Sequence, residues 1–327
     1  MSRDLHSNST TVDHSGPLRP WTRWWTYQKE RFPLAAHGPL IAAFTFCAVA
    51  ISVRIRGALV FPFLSFVVAF VTCTLIFFQL RVADEFKDFE EDSKYRPYRA
   101  VPRGLVTLRG LGWMFVVAAV IQLILALWLS PRLVILLGLV WIYLGLMSRE
   151  FFVREYLKQR PILYLISHML IMPLVDLYAT GTDWFLHESG FHPALMWFLA
   201  ASFFNGMSLE IGRKIRHPEQ EEIGVQTYSG LWGQTRAVVV WWSQLLLSMI
   251  CGLFTAGYLK ALPLLGLIYV LLLIAAAVLG RQFLLRKTRL AGRSLELTTF
   301  LWTLSLYLGL GILPWFRVLP WFVRTGN

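Results

Sequence analysis

Cysteine is scarce in this chain, and the cysteines that are present are poorly placed for chemistry. Among 327 residues there are only Cys47, Cys73 and Cys251, each inside a long apolar stretch. None has the short spacing to another cysteine or histidine that metal ligands require. We therefore interpret all three as small apolar packing residues and expect neither a disulfide framework nor a cysteine metal centre.

Charge is scarce as well, since 15% of the residues are charged whereas 56% are hydrophobic. The mean hydropathy of +0.56 predicts an all-α integral membrane protein and argues against soluble domains. The expected partner of its helices is the lipid bilayer. The formal net charge of +12 is compatible with nucleic-acid binding. However, the bases lie in short segments between apolar runs, so they indicate a membrane surface and no nucleic-acid partner.

The beginning of the chain lacks the apolar core of a secretory signal, so residues 1–20 are predicted to be a disordered polar tail. Tryptophans and bases alternate in residues 21–36, which is typical of an amphipathic segment in the headgroup layer. We assign residues 37–316 to a transmembrane domain and residues 317–327 to a short C-terminal tail.

Apolar runs of a length that crosses a bilayer occur nine times. They lie near residues 37–54, 58–80, 110–130, 132–148, 161–180, 194–212, 236–257, 262–280 and 295–316. If the N-terminus is cytoplasmic, 25 of the 31 Lys and Arg residues fall on the cytoplasmic face, as the positive-inside rule requires. The C-terminus is then outside, and we expect a plasma membrane of the bacterial type.

One polar segment, residues 81–104, has an ordered arrangement of charges. Asp84, Asp88 and Asp92 recur every fourth residue, next to Glu85, so on a helix the three Asp carboxylates share one face. Carboxylates at this spacing are either simply solvated or hold a hard cation such as Mg²⁺. Four bases of the kind that binds phosphate follow: Lys94, Arg96, Arg99 and Arg103. Two interpretations are open here, a solvated loop and a site for a metal-bound diphosphate.

The same segment resembles the first Asp-rich motif of the UbiA superfamily of intramembrane prenyltransferases. That motif has the pattern NDxxDxxxD, then Arg-Pro, then a Gly before the next helix. The corresponding positions here are Asp84, Glu85, Asp88, Asp92, Arg96, Pro97 and Gly104. Asp84 stands where Asn is usual and Glu85 where Asp is usual, and the longer Glu side chain changes the geometry of a metal site.

Two later loops also resemble the family. Lys158 and Arg160 match the basic pair of its YSxxLKR region, although ordinary juxtamembrane anchoring explains them equally well. The segment GVQTYSGLWG at residues 224–233 is similar to the one that follows the second Asp-rich motif. The motif itself is altered, because residues 201–236 contain no Asp. Four acids are available as replacements: Glu210, Glu219, Glu221 and Glu222.

The resemblance implies a UbiA-like bundle of nine transmembrane helices that moves a prenyl group from a polyprenyl diphosphate to an acceptor. It implies Mg²⁺ as the cofactor, with the ligands Asp84, Glu85, Asp88, Asp92, Glu210, Glu219, Glu221 and Glu222. It assigns catalysis to Asp88, Asp92 and Lys158, and diphosphate binding to Lys94, Arg96, Arg99, Arg103 and Arg160. The altered motifs leave an alternative, a membrane carrier or isoprenoid-lipid-binding protein without enzymatic activity. The acceptor, the prenyl chain length and the oligomeric state are not specified by the sequence.

Overall fold

The computed structural model describes residues 19–221, 226–285 and 289–316, with the backbone alone at 289–291. Within these residues the chain is helical and contains no strand. The helices are α1 (Pro20–Arg31), α2 (Leu34–Ile55), α3 (Phe63–Lys87), α4 (Phe89–Tyr95), α5 (Leu108–Leu129), α6 (Leu133–Ser148), α7 (Arg154–Lys158), α8 (Pro161–Met169), α9 (Ile171–Trp184), α10 (Leu195–Gly212), α11 (Tyr228–Trp232), α12 (Gln234–Tyr258), α13 (Leu262–Leu285) and α14 (Arg289–Phe316). Short 3-10 turns occupy Glu150–Phe152 and Pro218–Gln220.

Each of the nine predicted spans coincides with a helix, or with the helix pair α8 and α9 in the case of the fifth. Seven segments of the described chain are long and apolar enough by themselves to cross a membrane. The other two predicted spans are α6, with 16 residues, and α10, with 18 residues. The all-α membrane fold is therefore confirmed, whereas the number of nine crossings stays a prediction.

The bundle is held together by a continuous apolar core. Helix α10 lies near its centre and packs against α9, α12 and α14, while α2 packs against α3, α9 and α14. Large side chains that are fully buried, among them Trp241, Tyr178 and Phe198, fill the spaces between these helices. The outward faces of α5 and α13 remain apolar and exposed, as expected for helices in contact with lipid.

Two buried carboxylates of the bundle are paired with donors from neighbouring helices. The carboxylate of Asp176 on α9 accepts hydrogen bonds of 2.5 Å from both Ser202 on α10 and Tyr307 on α14. At one end of the bundle, Asp183 accepts from Ser52 and Arg56, each at 2.8 Å. An intramembrane carboxylate without donors is costly, so these bonds tie the helices to one arrangement.

Helix α1 lies against the loop between α4 and α5. Arg23 donates hydrogen bonds of 2.7 Å to the backbone oxygens of Gly104 and Leu105, and Tyr27 is buried in a small apolar cluster with residues of this loop. The amphipathic segment predicted at residues 21–36 is thus helical over most of its length. Its place in the headgroup layer stays a prediction.

The contact between α2 and α14 predicts a large effect of one small substitution. A Cβ atom at Gly311 would lie 2.6 Å from the Cβ and 2.7 Å from the Cα of Cys47. Because that Cα belongs to a packed backbone, Gly311→Ala must separate the two helices. We expect a loss of about 1–3 kcal/mol in the free energy of unfolding, measured by thermal or denaturant unfolding in detergent.

Gly138→Ala on α6 is the matched control, since no atom lies within 4 Å of a Cβ built at that position. This variant should be as stable as the wild type or more stable, because Ala favours helix by about 1 kcal/mol over Gly. Equal stability of the two variants would contradict the close packing of α2 on α14.

Candidate active site

The acidic segment continues α3 beyond its last residue, Lys87. Asp88 forms the junction with α4, and its backbone N–H donates to the oxygen of Asp84 at 2.9 Å, while the N–H of Asp92 donates to the oxygen of Asp88 at 2.8 Å. Helical hydrogen bonding thus passes through the junction. The three aspartates keep the spacing expected for one helical edge, although their surroundings differ.

Glu85 and Asp92 are buried and neutralised by arginines. Glu85 pairs with Arg31 of α1 at 2.5 Å and with Arg81 at 3.0 Å. Asp92 pairs with Arg99 at 2.5 Å and with Arg96 at 3.2 Å. Two of the four carboxylates in this segment that were predicted to bind metal are therefore paired with guanidinium groups.

Asp84 and Asp88 are the accessible pair. The side chain of Asp84 is 52% exposed and lies 3.8 Å from Arg81. Asp88 is half-buried, and no side chain in the described segments forms an ion pair or hydrogen bond with its carboxylate. Burial, followed by the charge of Asp84, raises the pKa of Asp88 to about 6. This carboxylate is thus destabilised in its charged form and suited to a cation.

The predicted diphosphate-binding bases fall into two groups. Arg96 and Arg99 are oriented by Asp92, and each guanidinium keeps further donors for a second ligand. Arg103 pairs with Glu30 of α1 at 2.7 Å. Lys94 is exposed and lies 5.0 Å from the ring centroid of its neighbour Tyr95. Ion pairs thus hold Arg96 and Arg99 beside the carboxylates, whereas Lys94 lies at the surface.

Lys158 and Arg160 lie on the exposed surface around α7. Lys158 is 4.0 Å from Glu155, and the guanidinium of Arg160 stacks 3.8 Å from the ring centroid of Tyr156. In the part of the chain that the structure describes, no hydrogen bond or ion pair joins either base to the acidic segment. Their roles in catalysis and diphosphate binding stay predictions.

A lysine that the sequence interpretation missed connects α3 to α8. The Nζ atom of Lys87 lies 2.8 Å from the carboxylate of Glu150 and donates to the hydroxyl of Tyr164 at 2.7 Å. The ring of Tyr164 stacks on His168 with 3.8 Å between centroids. The position of Lys87 between Asp84 and Asp88 was the signal in the sequence that could have drawn attention to it. Its partners Glu150 and Tyr164, however, are distant along the chain.

The second predicted half-site is also largely paired. Glu210 at the end of α10 forms ion pairs with Arg213 at 2.6 Å and with Lys214 at 2.7 Å. Glu221 accepts hydrogen bonds from Thr227 at 2.6 Å and Ser229 at 3.0 Å. Of the other two predicted metal ligands on this side, Glu219 is exposed and Glu222 lies outside the described residues.

The GVQTYSGLWG segment, described from residue 226 onwards, folds back onto the end of α10. The backbone N–H of Tyr228 donates to the oxygen of Lys214 at 3.0 Å. Tyr228 is buried, and this burial, followed by the charge of Glu210, raises its pKa. Thr227 and Ser229 of this segment thus donate to Glu221 and stabilise the fold of the loop.

The ends of α3, α8 and α10 face one another. Asp84 on α3 and Arg213 after α10 are close enough for their charges to interact. Tyr164 on α8 lies near Asp88 and near Tyr228. Carboxylates, cations and tyrosines from three helices therefore border one polar surface at the mouth of the bundle.

The donor set fits a magnesium ion that shares a phosphate ligand, and not one held by the protein alone. Among residues 19–221, 226–285 and 289–316, no group of three or more His, Cys, Asp and Glu side chains could hold a metal. Asp84 and Asp88 nevertheless offer two oxygen ligands beside several cations. Mg²⁺ commonly takes one or two carboxylates and completes its shell with water and substrate phosphates.

The raised pKa of Asp88 predicts a pH dependence of stability in metal-free protein. The folded protein keeps this proton up to about pH 6, whereas an unfolded Asp loses it near pH 4. The stabilising contribution is thus complete below about pH 4 and is lost as the pH rises through about 6. Thermal midpoints of wild type and Asp88→Asn in chelator, compared between pH 4 and 7, should show this loss in the wild type alone.

Glu90→Gln is the control for that comparison, because it removes an exposed acid two residues away, whereas the charge of Glu91 itself helps to raise the pKa of Asp88. The Glu90→Gln variant should keep the wild-type profile. An Asp88→Asn variant with an unchanged profile would show that another group titrates in this range.

Comparisons with known proteins agree with the fold. A model of the UbiA prenyltransferase family matches residues 41–304, whereas a search of curated protein sequences finds no match. A solved structure of a digeranylgeranylglyceryl phosphate synthase shares 13% identity, covering 90% of this chain and 99% of its own, with a TM-score of 0.62. An apo UbiA homolog from Aeropyrum pernix shares 12% identity, covering 84% and 96%, with a TM-score of 0.61.

At such low identity the two structures establish the similarity of fold alone. The family match is broader evidence, because it covers most of the chain and includes the acidic segment, α10 and the GVQTYSGLWG segment. This chain belongs to the UbiA prenyltransferase family.

Proposed function

We propose that the protein transfers a prenyl group from a polyprenyl diphosphate to an acceptor within the membrane, with Mg²⁺ as cofactor. The observation that carries the proposal is the accessible pair Asp84 and Asp88, because Arg213 lies close enough to Asp84 for their charges to interact. Carboxylates for a metal and guanidinium groups for phosphate are thereby placed side by side. Membership of a prenyltransferase family agrees with this chemistry.

The roles of the four acids in the first motif differ in this proposal. Asp84 and Asp88 would hold Mg²⁺ against the diphosphate. When bound, Mg²⁺ neutralises charge that develops on the leaving diphosphate. Glu85 and Asp92 act one step away, because each holds arginines in place: Arg31 and Arg81 at Glu85, and Arg96 and Arg99 at Asp92.

The arginines supply the second part of the leaving-group stabilisation. Arg96 and Arg99 are fixed by Asp92 before substrate arrives, so little conformational entropy is lost when they donate to a phosphate oxygen. Arg213, which follows α10, lies near Asp84. Donors that are oriented in advance stabilise the charge of the departing diphosphate without reorganisation, which is the largest contribution in many enzymes.

Tyrosines at the mouth are suited to the allylic cation that remains when the diphosphate leaves. The face of an aromatic ring attracts a cation, and the rings of Tyr164 and Tyr228 already have the ammonium groups of Lys87 and Lys214 at 5.1 Å and 5.9 Å from their centroids. The prenyl chain would extend from there into the apolar bundle. We place the mouth on the cytoplasmic side, because the charge asymmetry of the loops favours that orientation.

A second function, isoprenoid-lipid binding without turnover, is favoured by the second half-site. Glu210 is already paired with Arg213 and Lys214, and Glu221 with Thr227 and Ser229. If these contacts persist with substrate present, the α10 side contributes cations and hydroxyls but no metal ligand. Binding would then use the first motif alone, and ionisation of the donor would be slow.

Asp88→Asn should abolish Mg²⁺-dependent turnover, because it removes one of two accessible metal ligands while the similar size of Asn preserves packing. We expect a loss of at least about 100-fold in kcat, measured as release of diphosphate from geranylgeranyl diphosphate with a panel of acceptors. Glu91→Gln on α4 carries the same change of charge at an exposed position and should retain activity. Undiminished turnover in Asp88→Asn would contradict the assigned role.

Thermal stability with geranylgeranyl diphosphate, with and without Mg²⁺, separates the two functions. An increase in midpoint that requires both ligands and is lost in Asp88→Asn supports the metal-diphosphate site. The same increase together with no diphosphate release for any acceptor would favour lipid binding without turnover. Stabilisation by the diphosphate that does not depend on Mg²⁺ would contradict the metal site in both functions.

A further inference from the structure

A cavity of about 620 Å³ lies on the side of α3 that faces away from the accessible acids. It is bordered by α3, α5, α6 and the turn that leads to α7. On α3 its lining includes Val82, Phe86 and Lys87, whereas Asp84 and Asp88 point in a different direction around the helix at 100° per residue. The cavity is therefore separate from the mouth described above.

Most of the cavity wall is apolar. Phe86, Phe115 and Leu144 contribute side chains from three different helices. Gly145 on α6 also lines it, and a Cβ atom built at this glycine would meet no atom within 4 Å. The helix thus presents bare backbone to an open space, and an added side chain there would fill the cavity instead of displacing packed atoms.

The remaining part of the wall is strongly basic. Arg149 and Arg154 are both exposed at its edge, and within the described residues no group pairs with the guanidinium of Arg149. Lys87 and Glu150 neutralise each other at 2.8 Å, while Arg154 lies 3.7 Å from the same carboxylate. Three cations against one anion leave this end with an excess of positive charge.

The turn that carries these arginines has an unusual backbone. Glu150, Phe151 and Phe152 have φ angles of 47°, 54° and 60°, three successive residues in the left-handed region that non-glycine residues rarely adopt. Such conformations are costly and persist where the surroundings require them. The turn buries Glu150, whose Oε2 atom accepts no hydrogen bond from the described residues, and it leads from Arg149 directly to Arg154.

We propose that this cavity binds one anionic phospholipid of the surrounding membrane. The phosphate would pair with Arg149 and Arg154, a headgroup hydroxyl would donate to the Oε2 atom of Glu150, and an acyl chain would cover Phe86, Phe115 and the backbone at Gly145. Basic pockets between membrane helices at the headgroup level suit anionic lipids, because charge and apolar contact then lie at the matching depth.

Occupancy of this site would also act on the mouth of the bundle through Lys87. This side chain lines the cavity and donates to Tyr164, which borders the polar surface on the other side of α3. The lipid site itself does not depend on the proposed transferase function. A lipid bound at the turn would hold Glu150, and with it Lys87, in the observed contacts.

The test compares thermal midpoints of detergent-purified protein with phosphatidylglycerol, with phosphatidylcholine of the same chains, and with soluble glycerol phosphate. Wild type should gain about 3 °C or more with phosphatidylglycerol and little with the other two. Arg149→Ala/Arg154→Ala should lose this gain because the phosphate has no partners. Gly145→Leu should lose it because the added side chain occupies the place of the acyl chain.

Matched controls introduce the same change of charge, or the same glycine substitution in α6, away from the cavity. Arg109→Ala/Arg236→Ala also removes two exposed bases, in the first turns of α5 and α12, and Gly138→Leu adds the same side chain two turns earlier on α6. Both should respond to phosphatidylglycerol as the wild type does. All variants should still respond to geranylgeranyl diphosphate with Mg²⁺ if the proposed function holds, so failure of one proposal is distinguishable from failure of the other.

Three results would overturn the lipid site. The first is equal stabilisation of wild type by phosphatidylcholine, which would indicate a general detergent or lipid effect. The second is equal stabilisation by glycerol phosphate, which would indicate an anion site without an acyl chain. The third is an undiminished response in Arg149→Ala/Arg154→Ala, which would place the anionic lipid elsewhere on the protein.

Discussion

A buried carboxylate must be paired, and this requirement organises the polar end of the molecule. Glu85 and Asp92 are nearly inaccessible, and their partners come from separate parts of the chain, Arg31 on α1 and Arg99 in the loop after α4. Removing one partner of such a pair typically costs about 3–5 kcal/mol, because the other charge stays buried. Helix α1, the end of α3 and the following loop are thereby locked into one unit.

The same requirement separates acids that support the site from acids that can bind a ligand. An acid whose charge is already satisfied by arginine gains little from a metal ion, whereas Asp88 lies half-buried near Asp84 and its carboxylate forms no ion pair with any described residue. The raised pKa of Asp88 reflects how unfavourable this environment is for its charged form. A metal-bound diphosphate would relieve it, while leaving the arginine pairs of Glu85 and Asp92 intact.

The two sides of helix α3 border different sites. One side carries Asp84 and the other lines the cavity with Val82 and Phe86, and Lys87 contacts Glu150 and Tyr164 between them. Since a helix end is a rigid element, a ligand on one side can influence the other only through shared contacts such as those of Lys87. The strained turn at Glu150 is part of this connection.

Long apolar runs determined by themselves that the chain forms membrane helices, because a backbone in lipid must satisfy its hydrogen bonds internally. The motif in residues 81–104, taken together with the GVQTYSGLWG segment and the number of apolar runs, also indicated the family. Tertiary structure alone decided which acids are free, since the partners of Glu85 and Glu210 depend on how α1 and α10 approach the mouth. Pairing is a property of distance in space, and the sequence records only distance along the chain.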